Sequence, residues 1–381
     1  MVEYTKHELK DVCKRLSSGK GISSKLIGEK GLYPVYGGNG IRGYTEHSNF
    51  SGDCAIIGRQ GAFCGNVRYF KGEAYMTEHA VVVCADDFNN THYLSYLLST
   101  MNLGRLSGQS AQPGLSVKTL GIQEIMLPPL EYQYKVVALL NSLDEKIAIN
   151  EKINDNLQQQ AQAIYHSLFV SFDGISANQL YETELGLIPA GWTVKPLSEV
   201  TTSIRTKVKE NDYKVLSAIN TGQLQLSEEY FNKQVFSKNI SNYIVVEPYD
   251  FAYNPARINI GSIGMNNFGF TGCVSPVYVV VRTEPNYHYF LDFFVKTKRF
   301  SEEVKTRSSG SVRQSLSYAD FGQIKIAYPP AEVVEQFNCE YMARLKIIEH
   351  LKAENEKLAS LRDSLLPKLM SGEIDVSDIQ L

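Results

Sequence analysis

Two long stretches of this chain carry apolar residues at alternating steps of four and three. In the first stretch these positions are Val136, Leu140, Leu143, Ile147, Leu157, Ala161, Ile164 and Leu168. The same register recurs 201 residues later, at Phe337, Tyr341, Ile348, Leu351, Leu358, Leu365 and Leu369. A 3.5-residue period sustained over about five heptads is typical of helices that pack along a partner helix. We therefore predict long helices over residues 131–170 and 331–371, with two amphipathic helices packed on separate cores as the alternative.

Polar residues interrupt the apolar seam of both helices. Asn154 and Asn355 occupy equivalent seam positions, 201 residues apart. A polar side chain in such a seam weakens a coiled coil but fixes its register. We expect these asparagines to set the register of a helix pair; two unpaired, exposed amides are the alternative. Pro367 falls in the last turns of the second helix and should kink or end it.

The segments before the helices have a different pattern. Short apolar runs such as CAIIG, AVVVC, YIVVEP and SPVYVVV are separated by Gly and Asn turns. Each segment is predicted to be a mixed α+β domain with a curved sheet, with short helices near residues 92–103 and 288–304. The predicted division is 1–130 and 193–330 for the two domains, 171–192 for a linker and 372–381 for a C-terminal tail.

The chain contains an internal duplication. Residues 115–131 read LSVKTLGIQEIMLPPLE and residues 316–332 read LSYADFGQIKIAYPPAE, with Leu-Ser, a central Gly and Pro-Pro-x-Glu in common. Upstream, HYLSYLLS at 92–99 matches HYFLDFFV at 288–295. Self-similarity over this length indicates two copies of one unit, each a domain followed by a long helix. The predicted fold class is therefore α+β, with two tandem-repeat domains and two long coiled-coil helices.

Net charge alone says little about the ligand. The chain carries 38 Lys and Arg against 41 Asp and Glu, a net charge of −3. The acidic excess lies in the helical segments, whereas residues 1–130 and 181–330 each have a net charge of +2. The six cysteines form no CxxC pair, and no apolar run approaches the roughly 18 residues of a membrane-spanning helix. A reduced, cytoplasmic protein is expected.

Motifs that suggest catalysis or cofactor binding fail on their context. Gly38 to Gly43 fits the dinucleotide fingerprint G-x-G-x-x-G, but the residues after it have no helical periodicity, and a turn-rich loop is the better interpretation. Asn254-Pro255-Ala256-Arg257 lacks the second proline and the aromatic residue of the amino-methyltransferase motif. His79 is interpreted as a packing residue. We expect no catalytic residue, no metal and no cofactor.

Basic, amide and aromatic side chains on predicted loops are the candidates for ligand contact. Arg reads guanine, and Asn or Gln reads adenine, through paired hydrogen bonds in the major groove. The candidates in the first domain are Tyr36, Asn39, Arg42, Arg59, Gln60, Asn66 and Arg68. Those in the second are Arg205, Lys207, Asn254, Arg257, Asn259, Asn266, Asn267, Arg307, Arg313 and Gln314. Arg59 and Arg257 stand out, because each follows a repeat-equivalent Asp in a Gly- and Asn-rich loop; solvated surface is the alternative for every candidate.

Two globular repeats, each followed by a long helix after a Pro-Pro turn, resemble the specificity subunit of type I restriction–modification enzymes. The resemblance covers essentially the whole chain and is carried by LSVKTLGIQEIMLPPLEYQ, LLNSLDEKI, IPAGWTVKPLSEV and LRDSLLPKLMSGEIDV. It implies a non-catalytic reader of double-stranded DNA, each domain binding one half of a split, asymmetric site. It also implies antiparallel helices that hold the domains apart and dock two methyltransferase subunits, which endonuclease/translocase subunits join.

The competing hypothesis is a coiled-coil scaffold whose globular units bind protein or carbohydrate. The weak basicity of the two domains favours it somewhat, since isolated DNA-binding domains are usually more basic. DNA binding that weakens with salt would be expected of a specificity subunit in its complex, but not of a scaffold.

Overall fold

The chain folds into two units, each of which contains parts of both predicted helices. The computed structural model describes residues 2–107, 114–231, 236–308 and 315–378. Unit 1 takes the chain up to Lys152 and again from His350 onward, and unit 2 is Ile153–Glu349. Each unit is described here by itself.

Within its described residues, unit 1 has eight strands and two short α-helices before the first long helix. Its strands are β1 (Thr5–Glu8), β2 (Cys13–Ser18), β3 (Tyr33–Gly37), β4 (Gly40–Thr45), β5 (Phe50–Gly58), β6 (Val67–Met76), β7 (Ala80–Ala85) and β8 (Glu124–Leu127). Its helices are α1 (Thr91–Thr100), α2 (Val117–Gly121) and the first part of α3 (Leu130–His166). The main sheet has the order β2-β7-β5-β6-β3-β4, and β1 pairs with β8. The sheet is curled. This is shown by a hydrogen bond from the backbone N of Lys20, just after β2, to the O of Met76 on the non-adjacent strand β6.

The core of unit 1 forms between this sheet and the helices. Every residue of β7, Ala80–Ala85, is buried, as expected of a continuous apolar run in a central strand. Tyr93 and Leu98 of α1 and Val136 of α3 pack in the same apolar cluster. Helix α1 starts where Asn90 Oδ1 accepts a hydrogen bond from the backbone N of Tyr93 at 2.9 Å, which caps the first turn. The short helix predicted near residues 92–103 is confirmed.

Unit 2 has twelve strands within its described residues. They are β9 (Leu180–Thr183), β10 (Gly186–Pro189), β11 (Thr193–Pro196), β12 (Thr201–Ile204), β13 (Leu216–Ile219), β14 (Gln223–Leu226), β15 (Ile244–Val246), β16 (Phe251–Tyr253), β17 (Ile263–Met265), β18 (Gly272–Val274), β19 (Val279–Thr283) and β20 (Lys325–Tyr328). Its helices are α4 (Leu197–Val200), α5 (Ser227–Tyr230), α6 (His288–Phe294), α7 (Lys298–Arg307), α8 (Tyr318–Gly322) and part of α9 (Ala331–Met370). The segment 171–192, predicted as a linker, contains the β9–β10 hairpin.

The two units share one topology, which confirms the duplication. The main sheet of unit 2 has the order β12-β19-β16-β17, which matches β2-β7-β5-β6, and the pair β11–β20 matches β1–β8. A backbone hydrogen bond also recurs: Leu115 N donates to Arg59 O at 2.9 Å, and Leu316 N donates to Pro255 O at 3.0 Å. Because Leu115 and Leu316 are equivalent in the duplicated sequence, Arg59 and Pro255 are structural equivalents. Arg257 lies two residues farther along the same loop.

Aromatic rings dominate the core of unit 2. Tyr165 of α3 is buried, and its ring centroid lies 5.7 Å from that of Phe337 on α9. Phe169 lies in the π-helical turn Ser167–Ser171 that follows α3, with its ring centroid 5.9 Å from that of Trp192. Such ring pairs add to the free energy of apolar burial. They therefore join α3 and α9 to the rest of unit 2.

The predicted long helices are present and run antiparallel within unit 1. Helix α3 has 37 residues and α9 has 40, or ~55 and ~60 Å at about 1.5 Å per residue. Asp144 bonds to Arg362 and Asn150 bonds to Asn355, so partners descend along α9 as they ascend along α3. Helix α9 continues through Pro367 and ends three residues later, at Met370.

A polar layer occupies the seam, but its partner on α3 is Asn150 rather than Asn154. Asn150 Nδ2 donates to Asn355 Oδ1 at 2.8 Å and to Glu354 Oε2 at 2.7 Å. Asn154 is buried, and its Oδ1 has no hydrogen-bond partner within the described residues. The reason is geometric, since antiparallel helices pair positions that run in opposite directions along the chain. Repeat-equivalent positions such as 154 and 355 therefore need not meet.

A hydrogen-bonded chain joins α1 to both long helices inside unit 1. Tyr96 Oη donates to Asp144 Oδ2 at 2.6 Å, and Arg362 Nη1 donates to Asp144 Oδ1 at 2.7 Å. We expect Tyr96→Phe to lower the free energy of unfolding by about 1–2 kcal/mol, because a half-buried carboxylate loses one donor. Denaturant unfolding of the full chain measures this. Ser99→Ala is the control, because that exposed hydroxyl bonds only within α1. An unchanged unfolding midpoint for Tyr96→Phe would contradict the link.

Equivalent histidines stack on aromatic rings in both units. His92 of α1 lies between Tyr69 and Tyr96, with ring centroids 3.7 and 4.7 Å away. His288 of α6 stacks on Tyr249 at 4.2 Å. Burial lowers the pKa of both imidazoles, to about 4 for His288. Both are therefore neutral packing groups at pH 7.

Acid should destabilise unit 2 through His288. An unfolded histidine has a pKa of about 6.5, so unfolding between pH 6.5 and 4 takes up a proton that the folded imidazole does not bind. The stability is fully present above pH 6.5 and falls as the pH falls toward 4. Between pH 7.5 and 5, the free energy of unfolding should fall for both proteins. The fall should be about 1 kcal/mol smaller for His288→Gln than for the wild type, a value reduced because the imidazole is partly exposed. Denaturant titrations at both pH values test this. His47→Gln, at an exposed position, should match the wild type, and equal losses in all three proteins would refute the assignment.

Candidate nucleic-acid interface

The loops of unit 1 that carry candidate residues converge at one end of its sheet, which we call the loop end of unit 1. Strand β2 ends at Ser18, opposite Val81 of β7, and β5 ends at Gly58, opposite Ala80 of β7. Strand β6 begins at Val67, opposite Ile57. The loop after β2, the loop that joins β5 to β6 and the loop before β7 are therefore neighbours.

The loop end is held together by backbone contacts at glycines. A Cβ atom on Gly58 would lie 2.3 Å from Phe63 O and 2.6 Å from Gly38 O. A Cβ on Gly38, in the β3–β4 turn, would lie 3.1 Å from His79 O, and one on Gly19 would lie 2.1 Å from Met76 O. No larger residue fits at Gly58 or Gly19 without moving backbone. The glycines therefore form a frame, and several side chains between them, such as Asn39 and Gln60, are exposed.

Three arginines of unit 1 lie around this frame. Arg59 follows β5, and its Nη1 donates to Ser18 Oγ at 3.5 Å. Arg42 and Arg68 are exposed on β4 and β6. Their side chains flank the β3–β4 turn, because a Cβ on Gly37 would contact Arg42 Cδ at 2.6 Å and one on Gly40 would contact Arg68 Cζ at 3.5 Å. The loop end of unit 1 is therefore rich in guanidinium groups.

The remaining candidates of unit 1 lie beside the arginines. Asn39, Gln60 and Asn66 are exposed on the turns of the frame. Tyr36 packs on Phe70, with ring centroids 5.0 Å apart. Burial raises the pKa of Tyr36, and the nearby positive charge of Arg68 lowers it in part. All seven candidates of unit 1 thus come together at or beside the loop end.

Unit 2 has an equivalent loop end. Strand β12 ends at Ile204, opposite Val280 of β19, and β16 ends at Tyr253, opposite Val279. Arg205 and Asn254 are the next residues after these two strands. Exposed Arg257 lies in the loop that Asn254 begins, and its guanidinium has no hydrogen-bond partner in the described part of the chain. Two exposed arginines therefore lie at the loop end of unit 2.

Other candidates of unit 2 are already engaged or lie elsewhere. Lys207 donates from Nζ to Asn242 Oδ1 at 3.1 Å. Arg307 donates to Glu303 Oε2 at 3.1 Å and to Gln323 Oε1 at 3.3 Å, so its guanidinium is largely used within the unit. Asn259 is half-buried in the loop of Arg257. Arg313 and Gln314 fall outside the described residues.

The structure separates Asn266 and Asn267 from the other candidates. They follow β17 at the end of the sheet opposite the loop end, because Met265 pairs with the first residue of β16, Phe251. Asn266 is buried, and its Nδ2 donates to the O of Val246 and the O of Phe270, both at 2.9 Å. The prediction of a ligand contact does not hold for Asn266, since its amide already satisfies backbone groups of a turn. Asn267 is exposed beside it.

Comparison with known proteins connects this geometry to a family. Residues 1–159 match the family model described as type I restriction modification DNA specificity domain. The type I restriction enzyme EcoprrI specificity subunit of Escherichia coli is 40% identical over 147 residues, which is 38% of this chain but only 36% of that protein. The type I restriction enzyme MjaIX specificity subunit of Methanocaldococcus jannaschii is 26% identical over 321 residues, 76% of this chain and 70% of that protein. The chain is therefore similar to type I restriction enzyme specificity subunits, as its sequence predicts.

The fold of this chain also matches a solved structure along nearly its whole length. The type I restriction–modification S subunit from M. genitalium superposes with a TM-score of 0.60, over 97% of this chain and 96% of that one. The two sequences are 16% identical, so the match is a similarity of fold. It includes both α+β domains and both long helices.

The sequence alone did not identify every residue of the loop ends. Exposed Lys20 follows β2, and its backbone N donates to Met76 O at 2.9 Å, which places it at the loop end of unit 1. Only the strand pairing reveals this, because Lys20 lies far from the other candidates in sequence. No three His, Cys, Asp or Glu side chains of the described residues are grouped to hold a metal ion. None of the helices described has an apolar stretch long enough to cross a membrane.

Proposed function

We propose that this chain is the DNA-sequence-specificity subunit of a type I restriction–modification complex and catalyses no reaction itself. Residues 1–130 and 193–330 would be two target recognition domains, each binding one half of a split, asymmetric site in double-stranded DNA. The observation that carries the proposal is the pair of equivalent loop ends. Each presents arginine and amide side chains, the groups that read guanine and adenine, on loops fixed by the same strands.

The two long helices have a separate role in this proposal. As spacer helices over residues 131–170 and 331–371, they would set the gap between the half-sites and dock two methyltransferase subunits. The polar layer of Asn150 and Asn355 supports a fixed register, because slippage by one heptad would break their hydrogen bond and leave Asn355 opposite a leucine. Endonuclease/translocase subunits would join this core, and with DNA as its ligand the complex would act in the cytoplasm.

The loop ends also explain how domains of low net charge could bind DNA. Binding through phosphates alone requires many cations, whereas base contacts require few side chains in the right place. Arg42, Arg59 and Arg68 are concentrated at one end of the sheet of unit 1. Phosphate contacts from the methyltransferase partners would supply the remaining electrostatic attraction.

The decisive experiment has a cellular and a biochemical arm. Sequencing methylated adenines with and without this chain should reveal one split motif whose methylation depends on it. The purified chain with its methyltransferase subunits should bind a duplex of that motif more weakly as salt rises from 50 to 200 mM, with a log–log slope proportional to the phosphates contacted. A scaffold that binds protein or carbohydrate would leave the methylation pattern unchanged and show no selective DNA binding.

A further inference from the structure

In each unit, the loop after one of two equivalent strands, β5 or β16, exposes one large apolar side chain. Phe63 in unit 1 is 42% exposed, and Ile260 in unit 2 is 52% exposed. Each is the last residue of a 3₁₀ turn in the loop after equivalent strands, Gly61–Phe63 after β5 and Ile258–Ile260 after β16. A single exposed apolar residue is ordinary on a protein surface. Phe63 lies five residues after Gly58, and Ile260 lies six residues after the equivalent Asn254, so their positions differ by one residue. The shared feature is an exposed apolar side chain at the end of the 3₁₀ turn in both loops.

The two loops are closed in the same way. In unit 1, Gly58 N donates to Asn66 O at 2.9 Å, and in unit 2, Asn254 N donates to Ser262 O at 3.1 Å. Each closed loop therefore spans the same number of residues. Each also contains a left-handed glycine one residue before its closing bond, at φ +86° in unit 1 and +88° in unit 2. The backbone that presents Phe63 is thus repeated in the loop that presents Ile260.

Close backbone contacts keep both loops rigid. A Cβ on Gly65 would lie 2.1 Å from Gly104 N, and one on Gly261 would lie 2.7 Å from Asn220 O. Cys64, next to Phe63, donates from Sγ to Arg59 O at 3.3 Å. A rigid loop that holds an apolar group in water loses little entropy when that group is buried by a ligand.

The neighbours of these apolar groups suit duplex DNA. In its own loop, Phe63 is flanked by Arg59, Gln60 and Asn66, and Ile260 follows Arg257. Cationic and amide groups bind phosphates and base edges, and an apolar group among them can contact a thymine methyl group or enter between stacked bases. Proteins that kink DNA insert Phe, Leu, Ile or Met side chains in this way.

We propose that Phe63 and Ile260 act as wedges that insert between adjacent base pairs, one in each half-site. This inference rests on the proposed function and adds to it a recognition mode other than hydrogen bonding. A wedge opens flexible pyrimidine–purine steps at the lowest cost, so each half-site should contain such a step where the wedge enters. Phe63 has a planar ring that stacks on a base, and unit 1 should therefore unstack its step more than unit 2.

The test uses the full chain in complex with its methyltransferase subunits. The probes are duplexes of the recognised motif in which 2-aminopurine, which brightens when it is unstacked, replaces one purine at a time. The target adenines and their neighbours are left unchanged, because a methyltransferase flips its target base out of the stack. The wild-type complex should brighten one step in each half-site. Phe63→Ala should abolish the signal in the half read by unit 1 and weaken binding about tenfold, whereas Phe63→Leu should retain part of it. Ile260→Ala should affect only the other half.

Phe88→Ala is the matched control, since Phe88 is 80% exposed in unit 1 outside the loop of Phe63. It should leave every signal unchanged. Selective binding with the same brightening in Phe63→Ala would overturn the wedge and leave the proposed function intact. Loss of methyltransferase binding by Phe63→Ala, but not by Phe88→Ala, would overturn it in favour of a protein contact. A wild-type complex that binds all duplexes equally would overturn the proposed function itself.

Discussion

Removing one heptad from each long helix should abolish binding of the complex to its original DNA site. The deletion takes out residues 151–157 of α3 and 347–353 of α9 and retains Asn150 and Asn355, which form the polar layer. Each helix becomes shorter by ~10 Å, which corresponds to about three base pairs of DNA. The apolar seam keeps its phase, because seven residues are one full repeat. The half-sites that the two domains bind would then no longer match the original gap.

Binding to a duplex library measures this result. The library keeps both half-sites and varies the gap, and the deleted protein is expected to lose the original gap and select a shorter one. A length-preserving control replaces the exposed residues Glu151, Lys152 and Asp155 of α3 by alanine and should keep the original gap. If the deletion variant still prefers the original gap, the helices do not set the spacing.

Replacing Arg59 by alanine should relax recognition only in the half-site read by residues 1–130, and Arg257→Ala only in the other half. Both side chains lie at loop ends of the shared fold, although their backbone positions differ by two residues. A lost bidentate contact to guanine is worth about 1–3 kcal/mol at one base pair. The measurement is binding of the methyltransferase-bound complex to duplexes mutated one base pair at a time.

A charge-preserving variant separates base reading from phosphate binding. Arg59→Lys keeps the positive charge and loses the planar fork, so it should lose base preference while retaining affinity for non-specific DNA. If alanine at both positions weakens every duplex equally and reduces the salt slope by about one, these arginines are phosphate contacts. No change with either alanine variant would mean that other loop residues read the DNA.

The long helices were accessible to sequence reasoning because their pattern is local and repeats. Val136 and Leu140 are buried as their seam positions predict. The period could not reveal that Tyr165 and Phe169 are more deeply buried than their seam neighbours Ile164 and Leu168. That difference arises where α3 packs on the aromatic core of unit 2, a contact between segments distant in sequence. Likewise, the partner of Asn355 depends on helix direction, which a heptad pattern does not encode.

Strand pairing determines which residues meet at a loop end. The sequence therefore predicted the types of residue found there better than their positions. Asn254 and Asn266 look alike in sequence, since each lies in a polar stretch near an apolar run. The pairing of β16 with β17 puts them at opposite ends of the sheet. Asn266 is buried there, and its side-chain amide donates hydrogen bonds to two backbone oxygens. Residue type identified the arginines of unit 1, but only the glycine contacts show that they share one end of the sheet.

The glycine frame of the loop end affects how new target sequences can arise. Gly19, Gly38 and Gly58 bring the loops together through close backbone approaches, which do not involve the exposed side chains between them. Gln60, Ala62 and Phe63 are exposed on this frame, and a change of codon at any of them alters the outer surface without repacking the core. Under the proposed function, descendants of this chain can therefore sample new DNA sites through point mutations that cost little stability. A library randomised at these three codons, with the glycines kept, would vary the exposed side chains on one fixed backbone and could be screened for new DNA targets.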